Sequence, residues 1–356
     1  MVRDAVRPVL ERMLGRAGIY DGYASQFWTI FDILTRESLD FNPGDAGRRF
    51  SGICRDGTPF QFCLSLGGRH PDAIRFLTEV GSPSAPLSQR TALTLERLGE
   101  AFELVGLPGG REPARIIAGL CPTDDEHIAG LWVGFAMDRD GGACLNLYAN
   151  NGWGDSETRW LRLIGALRQL KAGGFGSELQ PLLPLLVPVF SPAGFAVTLP
   201  PFPPICKLYL RPFAEPWTTV RALAQVLLSS GSDTFLGAIE DGFERALETV
   251  PPSALILSTS GPAAGGLLDL KLDLCGHCLF ENDFAPVRAV ERLGRAVGLD
   301  TSGYHAMAED FGARGTPLSH EMVAFVGVGQ NAAAENRINV YLTPPPMDGP
   351  IGGSRV

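Results

Sequence analysis

A strand motif that returns at nearly constant intervals constrains this chain more than any other feature. The segments "CLNLYANN" (Cys144 to Asn151), "CKLYLRPF" (Cys206 to Phe213), "DLKLDLCG" (Asp269 to Gly276) and "RINVYLTP" (Arg337 to Pro344) alternate apolar and polar residues with the period of two of a strand. Their equivalent positions Tyr148, Tyr209, Asp273 and Tyr341 fall 61, 64 and 68 residues apart, which marks an internal repeat. One face of each strand is aliphatic, as in Leu208 and Leu210, and the other carries cations and phenols, as in Lys207 and Tyr209.

Each motif strand follows another apolar strand across a short connection rich in Gly, Pro, Asp or Asn, such as "DRDGG", which reads as an antiparallel hairpin. Before each hairpin the periodicity turns helical. In "SDTFLGAIEDGFERALETV", Ser232 is the expected N-cap, and Phe235, Ile239, Phe243, Ala246 and Val250 form one apolar stripe that Pro251 stops. The N-terminus supplies a fifth copy, with helices near residues 3–16 and 24–38 and strands at Thr58 to Leu66 and Asp72 to Val80. Five helix-helix-strand-strand units predict ten antiparallel strands in one domain spanning residues 1–356.

The aliphatic strand faces need cover, and the amphipathic helices provide it. The polar faces then point the other way. A ten-stranded sheet closed on itself encloses more room than side chains fill, since about eight strands already close tightly. The expected fold is therefore α+β: a ten-stranded antiparallel barrel with helices outside and Arg75, Tyr148, Lys207, Tyr209, Lys271 and Tyr341 lining a chamber. An open sheet with a solvated polar face would have to repeat the pattern four times by accident. A parallel β/α barrel fits less well, because its interior is packed with branched aliphatics.

Composition narrows the function. The net charge of −9 and pI near 5.1 argue against a nucleic-acid partner. The apolar runs are short and interrupted by Pro, as in "LLPLLVPVF", so no membrane insertion is expected, and a cytoplasmic protein, monomer or homodimer, is the default. Seven scattered Cys read as buried thiols of a reducing compartment. "CGHC" (Cys275 to Cys278) lacks a second pair at zinc-ribbon distance and ends a strand rather than starting a redox helix. "PTDDEH" is not an aspartate-rich metal box, and "GLPGG" lacks the ending of a phosphate loop.

Lysines enclosed in a chamber with too few carboxylates to pair them call for a ligand that brings negative charge. A diphosphate suits the set, because Arg binds it bidentately, Lys adds point charge and Tyr hydroxyls donate hydrogen bonds. Tyr ring faces add cation–π stabilisation of about 0.5–2 kcal/mol each to a positive carbon. Together these groups fit ionisation of an allylic diphosphate and capture of the cation by an electron-rich aromatic acceptor.

The five-fold order, together with "KLYLRP", "RINVYLTPP" and "DGTPFQFCLSLGG" leading to "AIRFLTEVGS", resembles the aromatic prenyltransferases of the dimethylallyltryptophan synthase type, which have the ABBA barrel. The resemblance implies an allylic diphosphate donor and a small aromatic or peptide acceptor, with no Mg²⁺ or other cofactor needed to bind the diphosphate. It implies diphosphate contacts at Arg75, Lys207 and Lys271 and a cation shield from Tyr148, Tyr209 and Tyr341. The chain departs from that pattern where Asn146, Ile205 and Asp273 stand in place of Lys, Arg and Tyr; Arg211 and Arg337 face inward by parity and are expected to compensate in binding the diphosphate, and Asn146 and Asn339 are expected to line the acceptor site or the lumen. Gln61 occupies the place of a catalytic Glu and, as an amide, cannot be a general base. Either Gln61 only orients the acceptor, or the base lies elsewhere, with Asp273 the best inward-facing candidate, or the acceptor is not a simple tryptophan. The alternatives are a non-catalytic carrier of isoprenoids or other anionic ligands, and a terpenoid cyclase on the same barrel.

Overall fold

The computed structural model describes residues 2–19, 21–40, 51–67, 73–82, 84–124, 126–200, 203–228, 231–312, 318–331 and 333–344. The chain runs through five units of helices followed by a hairpin. The first holds α1 (Val2–Arg16), α2 (Asp21–Thr35), β1 (Phe60–Gly67) and β2 (Ile74–Glu79), and the second α3 (Leu87–Leu104), α4 (Arg111–Ala118), β3 (Leu131–Met137) and β4 (Ala143–Asn150). The third holds α5 (Ser156–Gln169), α6 (Gly173–Leu179), α7 (Leu183–Leu186), β5 (Phe190–Leu199) and β6 (Ile205–Pro212). Then come α8 (Trp217–Leu228), α9 (Ser232–Phe243), β7 (Leu255–Pro262) and β8 (Asp269–Cys275), and finally α10 (Gly276–Leu279), α11 (Phe284–Val297), α12 (Ser302–Gly312), β9 (Val323–Gln330) and β10 (Asn336–Leu342). Asp72, expected to lie in the second strand, is outside the described residues.

Every strand pairs antiparallel with its sequence neighbours, and β1 pairs with β10, from Phe62 opposite Leu342 to Gly67 opposite Arg337, so the sheet closes into a barrel. Closure leaves no free edge among the ten strands. The turns follow local chemistry: between β3 and β4, Asp138 Oδ1 accepts from the backbone N–H of Asp140 and Gly142, and Gly141 takes a φ of 79°.

The outward faces carry the core. Leu145, Leu147, Leu208, Leu210, Leu270, Leu272, Leu274, Val326, Val328, Ile338, Val340 and Leu342 are all 1 % exposed or less beneath the helices. Under α2 the packing is aromatic: Phe60 stacks on Phe76 at 5.3 Å between ring centroids, and Phe27 and Phe31 meet Phe76 edge-on.

Two local expectations change. Ser232 is the first residue of α9 rather than its cap, Gly231 taking that place, and Glu244 in the left-handed conformation ends the helix after Phe243. Ala246 and Val250 therefore leave the helical stripe, and Leu247–Thr249 forms a separate 3-10 turn. Cys275 ends β8 and also caps the single helical turn of α10, so "CGHC" does open a helix, and Cys278 is exposed rather than buried.

Candidate active site

Strand register decides which side chains share the interior. From β6 round to β10, Lys207 pairs with Ser260, Tyr209 with Ser258, Ser258 with Lys271, Lys271 with Gly329 and Gly329 with Arg337. From β10 round to β4, Tyr341 pairs with Cys63, Cys63 with Arg75, and Glu79 with Trp132, which pairs with Tyr148. With the neighbouring residues of each strand in these rows packed outward, one inward face runs unbroken round the barrel.

That face holds Gln61, Arg75, Asn146, Tyr148, Lys207, Tyr209, Lys271, Asp273, Arg337, Asn339 and Tyr341 in one chamber. Arg211 shares the inward parity of β6 but lies exposed near the strand's end, at the rim. Lys207, Tyr148 and Tyr209 are partly exposed.

Contacts within the chamber are specific. Lys271 Nζ lies 2.6 Å from Asp273 Oδ1, donates to the Tyr341 hydroxyl at 2.7 Å, and sits 4.8 Å from the centre of that ring. The same hydroxyl accepts from Asn339 Nδ2 at 3.4 Å, and Asn339 Oδ1 accepts from Ser65 at 2.9 Å. With both lone pairs occupied, the Tyr341 O–H is left to donate into the chamber. Lys207 Nζ donates to Asn146 Oδ1 at 3.2 Å, and Thr198 donates to the same oxygen. Tyr148 and Tyr209 place their ring centres 5.9 Å apart.

Two carboxylates face these cations. Arg337 bonds Asp269 Oδ2 at 2.9 Å, and Ser260 donates to that oxygen at 3.3 Å. Arg75, Lys207, Lys271 and Arg337 against Asp269 and Asp273 leave an excess of positive charge. Burial, with Arg337, Arg75 and Lys271 nearby, pushes the Lys207 ammonium down to about 8. Burial also lowers Lys271, against the pull of Asp273. The phenols of Tyr148, Tyr209 and Tyr341 are pushed upward by burial, so they stay protonated as donors.

Glycines make the room. A Cβ at Gly327 would lie 2.1 Å from Asp273 Oδ1 and 2.5 Å from Lys271 Cε, and one at Gly329 would lie 2.9 Å from Arg337 Nε. The Lys271–Asp273 pair and the Arg337 guanidinium thus lie over Gly327 and Gly329 of β9.

Among the inward residues that escaped the reading of the sequence are Asp269, Glu79 and Trp132. Asp269 shares the face of Lys271 by simple alternation in "DLKLDLC", so it was available to that reasoning. Glu79 and Trp132 belong to the first and second hairpins, where Lys-x-Tyr is absent and only the outward alternation of Ile74, Phe76 and Thr78 marks the inward face.

Fold and chamber together define the class: a barrel of five ααββ units, closed, polar inside and helix-clad, which is the ABBA or prenyltransferase-barrel architecture. Among solved structures, the chain superposes on 5-dimethylallyltryptophan synthase from Streptomyces coelicolor with a TM-score of 0.80 at 16% identity over 97% of each chain. It matches 6-dimethylallyltryptophan synthase from Micromonospora olivasterospora, solved with DMASPP and Trp, with a TM-score of 0.78 at 22% identity over 97% of this chain and 99% of that one. AnaPT from Neosartorya fischeri gives 0.69 at 15% identity, covering 97% and 94%. No protein-family model and no curated protein sequence matches the chain.

Proposed function

We propose that this protein is an aromatic prenyltransferase, moving a dimethylallyl or longer allylic group from its diphosphate to an indole or another electron-rich aromatic ring. The observation that carries the reading is the convergence of Arg75, Lys207, Lys271 and Arg337 with the phenols of Tyr148, Tyr209 and Tyr341 inside one closed barrel. Neighbouring structures solved with DMASPP and Trp support the same donor and acceptor classes here.

The cations and neutral phenol hydroxyls receive the diphosphate. As the allylic C–O bond breaks, the electron pair leaves with the diphosphate, and fixed positive charge stabilises it with little reorganisation. The allyl cation remains against tyrosine faces in a space shielded from bulk water. Attack by a ring carbon forms the new bond, and the ring then gives up its proton. Side chains already supply the positive charge, so the donor complex forms without Mg²⁺. Asp273 is engaged by Lys271, which favours a role in holding that lysine over a role as base.

Incubation with allylic diphosphates and a panel of indoles and phenols, in the presence of a chelator, should release diphosphate together with a prenylated ring. Tight diphosphate binding without turnover would favour a carrier, and an acceptor-free hydrocarbon would favour a cyclase.

A further inference from the structure

The chemistry of the chamber makes no use of "CGHC", the segment where β8 ends. Cys275 caps the single helical turn of α10, and Cys278 is the third residue of that turn. Residues three apart on a helical turn are neighbours, with Cβ atoms about 5–6 Å apart, and a disulfide spans Cα atoms about 4.4–6.8 Å apart. The two thiols are already in contact, Cys278 being hydrogen-bonded to Cys275.

The turn itself is fixed. The Phe280 N–H donates to the Gly276 carbonyl at 2.9 Å, and Gly276 is pressed against β9, where a Cβ would lie 2.1 Å from the Val323 carbonyl oxygen. Backbone packing therefore sets the spacing of the two sulfurs.

Two plainer readings fail. Packing explains a buried thiol, as at Cys54, Cys121 and Cys206, but Cys278 is exposed and Cys275 half-buried. A metal would need further ligands, and among the described residues no group of three His, Cys, Asp or Glu side chains could hold one. What remains is a pair of adjacent thiols, one of them open to solvent, which is the arrangement that thiol–disulfide exchange requires.

The surrounding charge selects what reaches the pair. Arg55 and Arg211 both act on Cys278 as positive neighbours, and both are exposed at this end of the barrel. Such a rim draws in an anionic disulfide, one of the glutathione type, ahead of a neutral one.

We propose that Cys275 and Cys278 form a redox-active dithiol at the barrel rim, oxidised to an intramolecular disulfide by an anionic low-molecular-weight disulfide. The Cys278 thiolate attacks one sulfur of that molecule and expels the first small thiolate. The Cys275 thiolate then attacks the Cys278 sulfur and expels the second. The two cysteines lose two electrons and two protons, which leave on two small thiols. This reactivity goes beyond prenyl transfer and does not depend on it.

The test is incubation of the reduced protein with glutathione disulfide, followed by alkylation and peptide mass spectrometry. In wild type the peptide holding Cys275 and Cys278 should lose both alkylatable thiols, carry no glutathione, and recover both thiols with dithiothreitol. Cys275→Ser should instead keep one glutathione on Cys278, and Cys278→Ser should leave Cys275 reduced over the same period. Arg55→Gln should slow oxidation by glutathione disulfide by about threefold or more, and leave oxidation by the neutral 2-hydroxyethyl disulfide unchanged. A lasting mixed disulfide on wild-type Cys278, a disulfide joining two chains, or a pair that stays reduced would overturn the dithiol. Equal rates in wild type and Arg55→Gln with glutathione disulfide, or equal slowing with both reagents, would overturn the selection of an anionic oxidant.

Discussion

Lys207 shows what enclosure does to a single residue. Its ammonium is held by Asn146 rather than by a carboxylate, and burial together with Arg337, Arg75 and Lys271 lowers its proton affinity. A lysine so placed costs the fold and is explained by a ligand. Lys207→Met should lower turnover by about 10²–10³-fold, as loss of one preorganised charge-stabilising group does, and should leave the melting temperature unchanged or raised. The protonated form prevails below about 8, so if it holds the diphosphate as proposed, donor affinity should fall as pH rises from 7 to 9. Calorimetric titration with inorganic diphosphate across that range checks the slope, which Lys207→Met should flatten; an unchanged slope in the variant would remove Lys207 from the donor site. At this scale the sequence was most legible where cations and phenols alternate with Leu. It was least legible where charges cancel, because alternation shows that Asp269 and Lys271 share a face but not that Asp269 is bonded to Arg337 across β9.

Among the elements, β9 is the one whose emptiness matters. Its "VGVG" segment alternates outward valines with inward glycines, and the side chains of β8 and β10 lie over the bare backbone. Gly327→Ala should push Asp273 and Lys271 apart, since no Cβ fits 2.1 Å from a carboxylate oxygen. Strain of this kind costs about 1–3 kcal/mol. The expected outcome is a lower melting temperature together with diphosphate affinity reduced by tenfold or more, read from thermal denaturation and calorimetry; full affinity in the variant would separate the Lys271–Asp273 pair from donor binding. Hairpins and helices were legible because their periods differ and Gly, Pro and Asp punctuate them. Helix ends were less so: the apolar stripe through Ala246 and Val250 continues past the true end of α9 because those residues still pack against the core after the backbone has turned at Glu244.

For the whole molecule, the decisive property is closure. Pairing of β1 with β10 turns the polar face of a sheet into an interior, so groups that would be solvated on an open sheet instead shape one another's charge. The repeat made five hairpins legible, and the parity of Lys207 and Tyr209 gave the inward face. Pairing across the seam between the first and last strands had to be inferred from chamber-sized polar content. The architecture therefore makes one claim above others: the donor's diphosphate sits inside the barrel, among Arg75, Lys207, Lys271 and Arg337. A crystal structure with an unreactive allylic thiolodiphosphate tests this directly. The account predicts the diphosphate within hydrogen-bond distance of Lys207 and Lys271, with the allyl chain against Tyr148, Tyr209 or Tyr341. Diphosphate bound on the outer helices, with the interior holding only water, would contradict it.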